Sequence, residues 1–203
     1  MSQLKLTADG GGGTVAIKAP ASTTGNAALE LTVPGASSGT LATTNGITEY
    51  DTWRLAANYI IPSANTTITE TYVRPTLFFE KIGTGMSVSS GVFTFPSTGK
   101  WEVQAFFQGF QSVSADNLFK FNMDATSDNS SWQEVVNCRE GNYDSGRAFS
   151  TSFIYLIDIT NISTHKVRFG TTSAGTNRVQ LDGNSAGNIL DGTYFNFKRI
   201  GDT

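Results

Sequence analysis

Apolar and polar residues alternate along most of the chain, with the period of two that is typical of β-strands with one buried face. The run Trp101 to Phe110 places large apolar residues on one face, while Phe106 stands among polar residues on the other. No helical period is sustained, and Gly, Asn and Asp separate the runs. From Ile47 onward the predicted strands are Thr52–Ala57, Thr66–Val73, Leu77–Lys81, Gly91–Phe95, Trp101–Phe110, Leu118–Met123, Trp132–Val136, Phe149–Ile159, His165–Thr171, Arg178–Leu181 and Tyr194–Ile200. The pattern predicts an all-β sandwich or barrel.

Residues 1–46 differ from the rest of the chain. They contain the run Gly10–Gly13 and no aromatic residue. Two short alternating runs, around Val15 and from Leu29 to Val33, predict strands, each followed by a proline. A segment this small buries too little surface to fold alone. We therefore expect an N-terminal arm, 1–46, whose strands pair with other copies or with a larger assembly, followed by a β domain, 47–203.

The run Phe153–Ile157 is apolar on both faces, and the run Tyr194–Phe197 is so in part. A strand buried on both sides needs two covering layers. A second sheet supplies one layer, and we expect another subunit to supply the other, because contiguous exposed apolar surface usually marks an interface.

Composition supports this interpretation. Charged residues make up 15% of the chain and glycine is frequent, with 21 residues, which favours strands and turns over long helices. The net charge is -3 and no basic stretch occurs, so we expect no nucleic-acid binding. The single cysteine, Cys138, excludes a disulfide within one chain. No run of 18 apolar residues and no signal-like start occur, so we expect neither membrane insertion nor secretion.

The residues available for chemistry are few. His165 has no partner motif, and Cys138, although beside Arg139, belongs to no catalytic Cys/His pattern. Gly10–Gly13 lacks the Lys-Ser/Thr that follows a phosphate loop. Four aspartates sit in turn-like sequences without calcium-loop spacing: Asp124, Asp128, Asp182 and Asp191. We expect no catalytic residue, no cofactor and no metal site, with an ion on a symmetry axis as the alternative.

One polar segment is a candidate ligand-binding loop. Its members are Trp132, Asn142, Tyr143 and Arg147. Aromatic faces stack on sugar rings and polar neighbours fix their orientation. The alternative is that Trp132 packs in the core and the loop is merely solvated.

Two segments resemble a known fold family. The passage Ser90-Gly91-Val92-Phe93-Thr94-Phe95-Pro96-Ser97-Thr98-Gly99-Lys100-Trp101-Glu102-Val103 resembles the turn between two strands of C1q and tumour-necrosis-factor-like (TNF-like) jelly rolls. The end, Gly192–Ile200, is similar to the closing strand of that fold. The resemblance implies a jelly-roll sandwich that forms a homotrimer, with the strands from Trp101, Phe149 and Tyr194 facing the three-fold axis. The residues then expected at the interface are Phe106, Phe153, Tyr155, Tyr194 and Phe195.

Further segments resemble structural proteins of tailed phages, many of them marine. They are Asp51–Leu55 with Glu80–Met86 in the domain, and Leu6–Gly13, Lys18–Thr24 and Thr44–Gly46 in the arm. This resemblance implies a virion protein, assembled in the host cytoplasm and placed on the particle exterior. No collagen-like repeat precedes the domain, so attachment must use the arm.

Three functions follow as hypotheses. The first is a non-enzymatic capsid decoration or cement protein, bound by residues 1–46 to the major capsid protein or another virion protein; the shortness of the chain favours it. The second is a short tail fibre or head fibre whose jelly roll binds a host surface glycan. The third, a capsular depolymerase, needs a carboxylate pair in a groove, and the sequence shows none.

Overall fold

The computed structural model describes residues 3–7, 14–18, 46–77, 79–111, 116–142, 146–173, 179–183 and 192–203. These residues form strands and turns and contain no helix. The strands are β1 (Gln3–Thr7), β2 (Thr14–Lys18), β3 (Tyr50–Leu55), β4 (Tyr59–Ile60), β5 (Thr66–Thr67), β6 (Tyr72–Val73), β7 (Ser87–Ser89), β8 (Val92–Thr94), β9 (Gly99–Gln111), β10 (Asp116–Thr126), β11 (Gln133–Asn142), β12 (Arg147–Ile159), β13 (Lys166–Ser173), β14 (Val179–Leu181) and β15 (Tyr194–Gly201).

The strands from β3 onward form two antiparallel sheets. In sheet I, β9 lies between β12 and β15, followed by β3 and β6, while β14 pairs with the end of β9 and β4 pairs with β14. In sheet II the order is β11-β10-β13-β8-β7, and β5 also pairs with β13. Neighbours such as β9 and β15 are far apart in sequence, as expected of a jelly roll. The predicted all-β jelly-roll sandwich is confirmed.

Aromatic side chains fill the space between the two sheets. Phe93 is fully buried and contacts rings from both sheets, with centroid distances of 5.9 Å to Trp53, 5.6 Å to Phe169 and 5.0 Å to Phe197. A second group joins Phe107 and Phe121, which stack at 4.4 Å. Full burial of each such ring stabilises the fold by about 1.5 to 3 kcal/mol. The apolar members of the alternating patterns in these strands are therefore the side chains that form the core.

An ion pair with a buried carboxylate fixes β3 to the loop before β7. Asp51, 1% exposed, accepts two hydrogen bonds of 2.8 Å from the Arg74 guanidinium, one at each carboxylate oxygen. It also accepts bonds from the Trp53 indole N–H at 2.9 Å and the Met86 backbone N–H at 2.8 Å. Arg74 lies 4.0 Å above the Trp53 ring and donates to the Met86 carbonyl. This arrangement satisfies a carboxylate that would otherwise be costly to bury.

Two predicted strands differ from the structure. The run Thr66–Val73 is split into β5 and β6, and the described part of Leu77–Lys81 forms no strand. The loop that follows is held by side chains instead: Lys81 donates to the carbonyls of Gly83 and Thr84, and Glu49 accepts the backbone N–H groups of Thr84 and Gly85. Strands β4 and β7, of two and three residues, were not predicted.

The chain divides into two units, Met1–Thr44 and Asn45–Thr203. In the first unit β1 and β2 pair antiparallel, with Leu4 opposite Ile17 and Leu6 opposite Val15. The strand predicted around Val15 therefore pairs within its own chain, and its pairing with other copies or with a larger assembly stays a prediction. The strand predicted from Leu29 to Val33 lies outside the described residues.

Gly109 of β9 is a position where a side chain would not fit. An added Cβ would lie 2.1 Å from the Gln180 carbonyl oxygen and 2.6 Å from the Phe149 ring. We expect Gly109→Ala to lower the free energy of unfolding by about 1 to 3 kcal/mol, because the backbone of β14 and the ring must both shift. Urea unfolding measures the change. Gly201→Ala is the control, since nothing lies within 4 Å of the added atom; equal effects of the two substitutions would contradict the clash.

Candidate functional site

Sheet I presents a mixed surface on its outward face, the side turned away from the core. Strands β12, β9, β15 and β3 place alternate residues there in aligned rows. The described members are Ser150, Ser152, Ile154, Leu156 and Asp158 from β12; Lys100, Glu102, Gln104, Phe106, Gln108 and Phe110 from β9; Tyr194, Asn196 and Lys198 from β15; and Tyr50, Thr52 and Arg54 from β3.

The first row of this face is aromatic. Phe106 and Tyr194 are direct cross-strand neighbours, and their rings stack at 5.1 Å with an interplanar angle of 20°. Both are half-buried within the single chain. A stacked pair of this kind offers a flat apolar surface for a partner.

The second and third rows are polar, and their groups bond to one another. Thr52 donates to the Asn196 side-chain oxygen at 2.8 Å, and the Asn196 amide donates to Gln104 at 3.1 Å. In the next row Lys198 pairs with Glu102 at 2.6 Å. Because these groups already have partners inside the protomer, covering them costs less than covering unpaired polar groups.

The β12 edge of both polar rows is apolar and exposed. Ile154 continues the Gln104 row and Leu156 continues the Glu102 row. Their side chains are 58% and 61% exposed, the largest values among the exposed large hydrophobic residues described. The outward face therefore combines an aromatic stack, a self-satisfied polar centre and an uncovered aliphatic edge.

Only two of the five predicted interface residues lie on the outward face, namely Phe106 and Tyr194. Phe195 is fully buried, Phe153 is 7% exposed, and Tyr155 packs against the core from the inner side. These three predictions are wrong, because successive residues of a strand point to opposite faces. The apolar runs are two-sided as predicted, but Ile154 and Leu156 are the outward members of β12.

The predicted ligand-binding loop is not a single site. Trp132 precedes β11, whereas Asn142 ends it and Arg147 begins β12. At about 3.4 Å per residue, the length of β11 places Trp132 about 30 Å from the other two. Trp132 instead covers the Arg168 guanidinium at 4.3 Å, and Arg168 pairs with Asp124 at 3.0 Å. Tyr143 lies outside the described residues.

Each of His165, Cys138 and Asp128 has a structural partner. His165 contacts the hydroxyls of Thr160 and Thr164 in a turn. Burial raises the pKa of the Cys138 thiol, partly offset by a hydrogen bond with Thr151. Arg139 does not lower the pKa of this thiol, because its side chain lies on the opposite face of β11. Asp128 accepts backbone N–H bonds from Ser130 and Ser131, which hold its pKa well below the usual range.

Among the described residues, no group of three or more His, Cys, Asp or Glu is placed to hold a metal ion. Within the same ranges, no helix has the length and apolar character needed to cross a membrane.

Comparison with known proteins finds similarity in structure alone. No family model and no curated protein sequence matches the chain. The Eiger TNF of S. frugiperda aligns with a TM-score of 0.57 and 8% identity, covering 78% of this chain and 96% of that one. Murine APRIL, solved at pH 5.0, aligns with a TM-score of 0.49 and 10% identity, covering 75% and 98%. At such low identity the likeness concerns the fold, and the chain has the jelly-roll sandwich fold of TNF-type proteins.

Proposed function

We propose that the chain is a non-enzymatic virion structural protein that assembles as a homotrimer through the outward face of sheet I. Residues 1–46 anchor it on the exterior of a tailed-phage particle. The observation that carries the proposal is the exposed aliphatic edge, Ile154 and Leu156, beside the Phe106–Tyr194 stack.

The physical chemistry of the outward face favours burial against identical copies. Complete burial of an exposed Ile or Leu side chain is worth about 1.5 to 3 kcal/mol, and each interface of a closed ring gains this again. The polar centre already pairs internally through Gln104, Asn196 and Thr52, so its desolvation is inexpensive. The aliphatic edge and the polar centre are different parts of the outward face. Such a face suits a head-to-tail contact around a three-fold axis, in which different parts of two copies meet.

Support for the virion assignment comes from the sequence. The arm and the domain each resemble segments of tailed-phage structural proteins, and the two occur together in one chain. The role that we propose is capsid decoration, anchored on the major capsid protein or another virion protein, and a short tail fibre or head fibre is the alternative.

Deleting residues 2–46 tests the proposal. We expect the remaining domain to stay soluble and trimeric in light scattering but to be lost from particles, because the interface lies in the domain and the anchor in the arm. The full-length chain, assembled in parallel, is the control. Normal incorporation of the truncated chain would refute the anchor, and a monomeric truncated chain would refute the interface.

A further inference from the structure

The outward face of sheet II carries a cavity of about 370 Å³. Its described lining consists of Asn65, Leu118, Lys120, Arg139, Thr172 and Ser173. Three of these residues form one row across the sheet, since Lys120 of β10 is in register with Thr172 of β13 on one side and Arg139 of β11 on the other. Asn65, just before β5, extends the row by accepting a 3.2 Å hydrogen bond from Thr172.

Arg139 is the positively charged residue of this cavity that is free to bind a ligand. It is exposed and makes no ion pair or hydrogen bond with any residue that the structure describes. Lys120, by contrast, is held by Glu134 at 2.6 Å, and Glu134 also accepts a bond from Asn137. A free guanidinium beside a neutralised lysine suits one carboxylate, because its planar fork can bind both carboxylate oxygens.

The rest of the lining suits the body of a sugar ring. Asn65 and Thr172 offer hydrogen-bonding groups for hydroxyls, and Leu118, 46% exposed, offers an apolar surface for ring C–H groups. The volume falls in the range of about 300 to 1,000 Å³ that is typical of small-ligand clefts. Charge, polar groups and apolar contact therefore converge on one small space.

We propose that this cavity binds a carboxylate-bearing sugar unit of an anionic polysaccharide. Arg139 takes the carboxylate, Asn65 and Thr172 orient the hydroxyls, and Leu118 packs on the ring. Sheet II faces away from sheet I, so assembly through the outward face of sheet I leaves the cavity open. The site does not depend on the virion assignment, although a trimer would present three copies of it.

Calorimetric titration of the full-length protein with oligogalacturonate tests the site. We expect saturable binding that a neutral oligogalactan does not reproduce, and we expect Arg139→Gln to weaken it about tenfold or more, as for loss of one charge-assisted contact. Lys166→Gln is the matched control. Lys166 carries the same charge and lies on β13, the strand of Thr172, but it pairs in register with Thr126 at the far end of that strand.

Three results would overturn the proposal. They are no saturable binding of oligogalacturonate, an equal loss from Arg139→Gln and Lys166→Gln, or inorganic phosphate binding as tightly as the uronate. The second would indicate diffuse attraction of a polyanion, and the third a simple anion site. Light scattering of each variant separates a failure of this site from a failure of trimer assembly.

Discussion

Replacing Asp51 with alanine is expected to lower the free energy of unfolding by about 2 to 4 kcal/mol, because the buried donors that it satisfies lose their acceptor, whereas Arg74, 32% exposed, keeps access to water. Arg74 would lose both carboxylate contacts, and the N–H groups of Trp53 and Met86 would lose their acceptor. The loop before β7 would then have fewer ties to β3. Urea unfolding, followed by tryptophan fluorescence, measures the loss.

Asp202→Ala provides the matched control. Asp202 also pairs with an arginine, Arg199, but its side chain is 91% exposed. Exposed pairs contribute about 0 to 1 kcal/mol, so this substitution is expected to change little. A double-mutant cycle with Arg74→Ala isolates the pair itself. Similar losses for Asp51→Ala and Asp202→Ala, or no coupling between Asp51 and Arg74, would contradict the structural role.

Substituting lysine for both Ile154 and Leu156 is expected to convert the assembled protein to a monomer. Charged groups within an apolar contact must be desolvated without partners, and the proposed three-fold assembly would repeat this cost at each of its three interfaces. Light scattering should show the mass falling from three times 21.7 kDa to a single chain. The unfolding free energy of the isolated domain should change little, because both side chains are exposed in the single chain.

Leu77→Lys is the control for that experiment. Leu77 is 54% exposed, close to the values for Ile154 and Leu156, but it lies in the loop between β6 and β7. It should leave the mass unchanged. A trimer that survives the double substitution would exclude the outward face of sheet I as the interface.

Alternation in the sequence was sufficient to predict the long strands, because strands such as β9 and β12 have a strongly apolar inner face. It was insufficient to choose between faces when both were apolar. The resemblance indicated the strands but not which of their faces is outward, and Phe153 and Tyr155 were chosen on the inner one. The polar residues of β12, Ser150 and Asp158, share the parity of Ile154 and Leu156 and were the signal that could have decided it.

Contacts between residues that are far apart in the chain could not be predicted from the sequence. The Asp51–Arg74 pair depends on a loop whose Met86 backbone N–H also donates to Asp51. The sequence around Asp51 and around Arg74 contains no pattern that predicts this pair. The row from Asn65 to Arg139 likewise requires the pairing order of four strands. Conversely, Trp132 and Arg147 are near in sequence but separated by the whole length of β11, so proximity in the chain misled the prediction of a loop site.

The two-sided apolar character of β12 has a consequence for folding fidelity. A slip of β12 by one residue along β9 would bury Ile154 and Leu156 in place of Phe153 and Tyr155, so the middle of the strand penalises this error weakly. The ends of the strand oppose it, because Asp158 would be buried and Phe149 would be exposed. Gly109 adds a steric term at one end, because the Phe149 ring occupies the space where a side chain would stand, and a shifted strand would leave a void there. The glycine therefore helps to fix which side chains of β12 reach the surface.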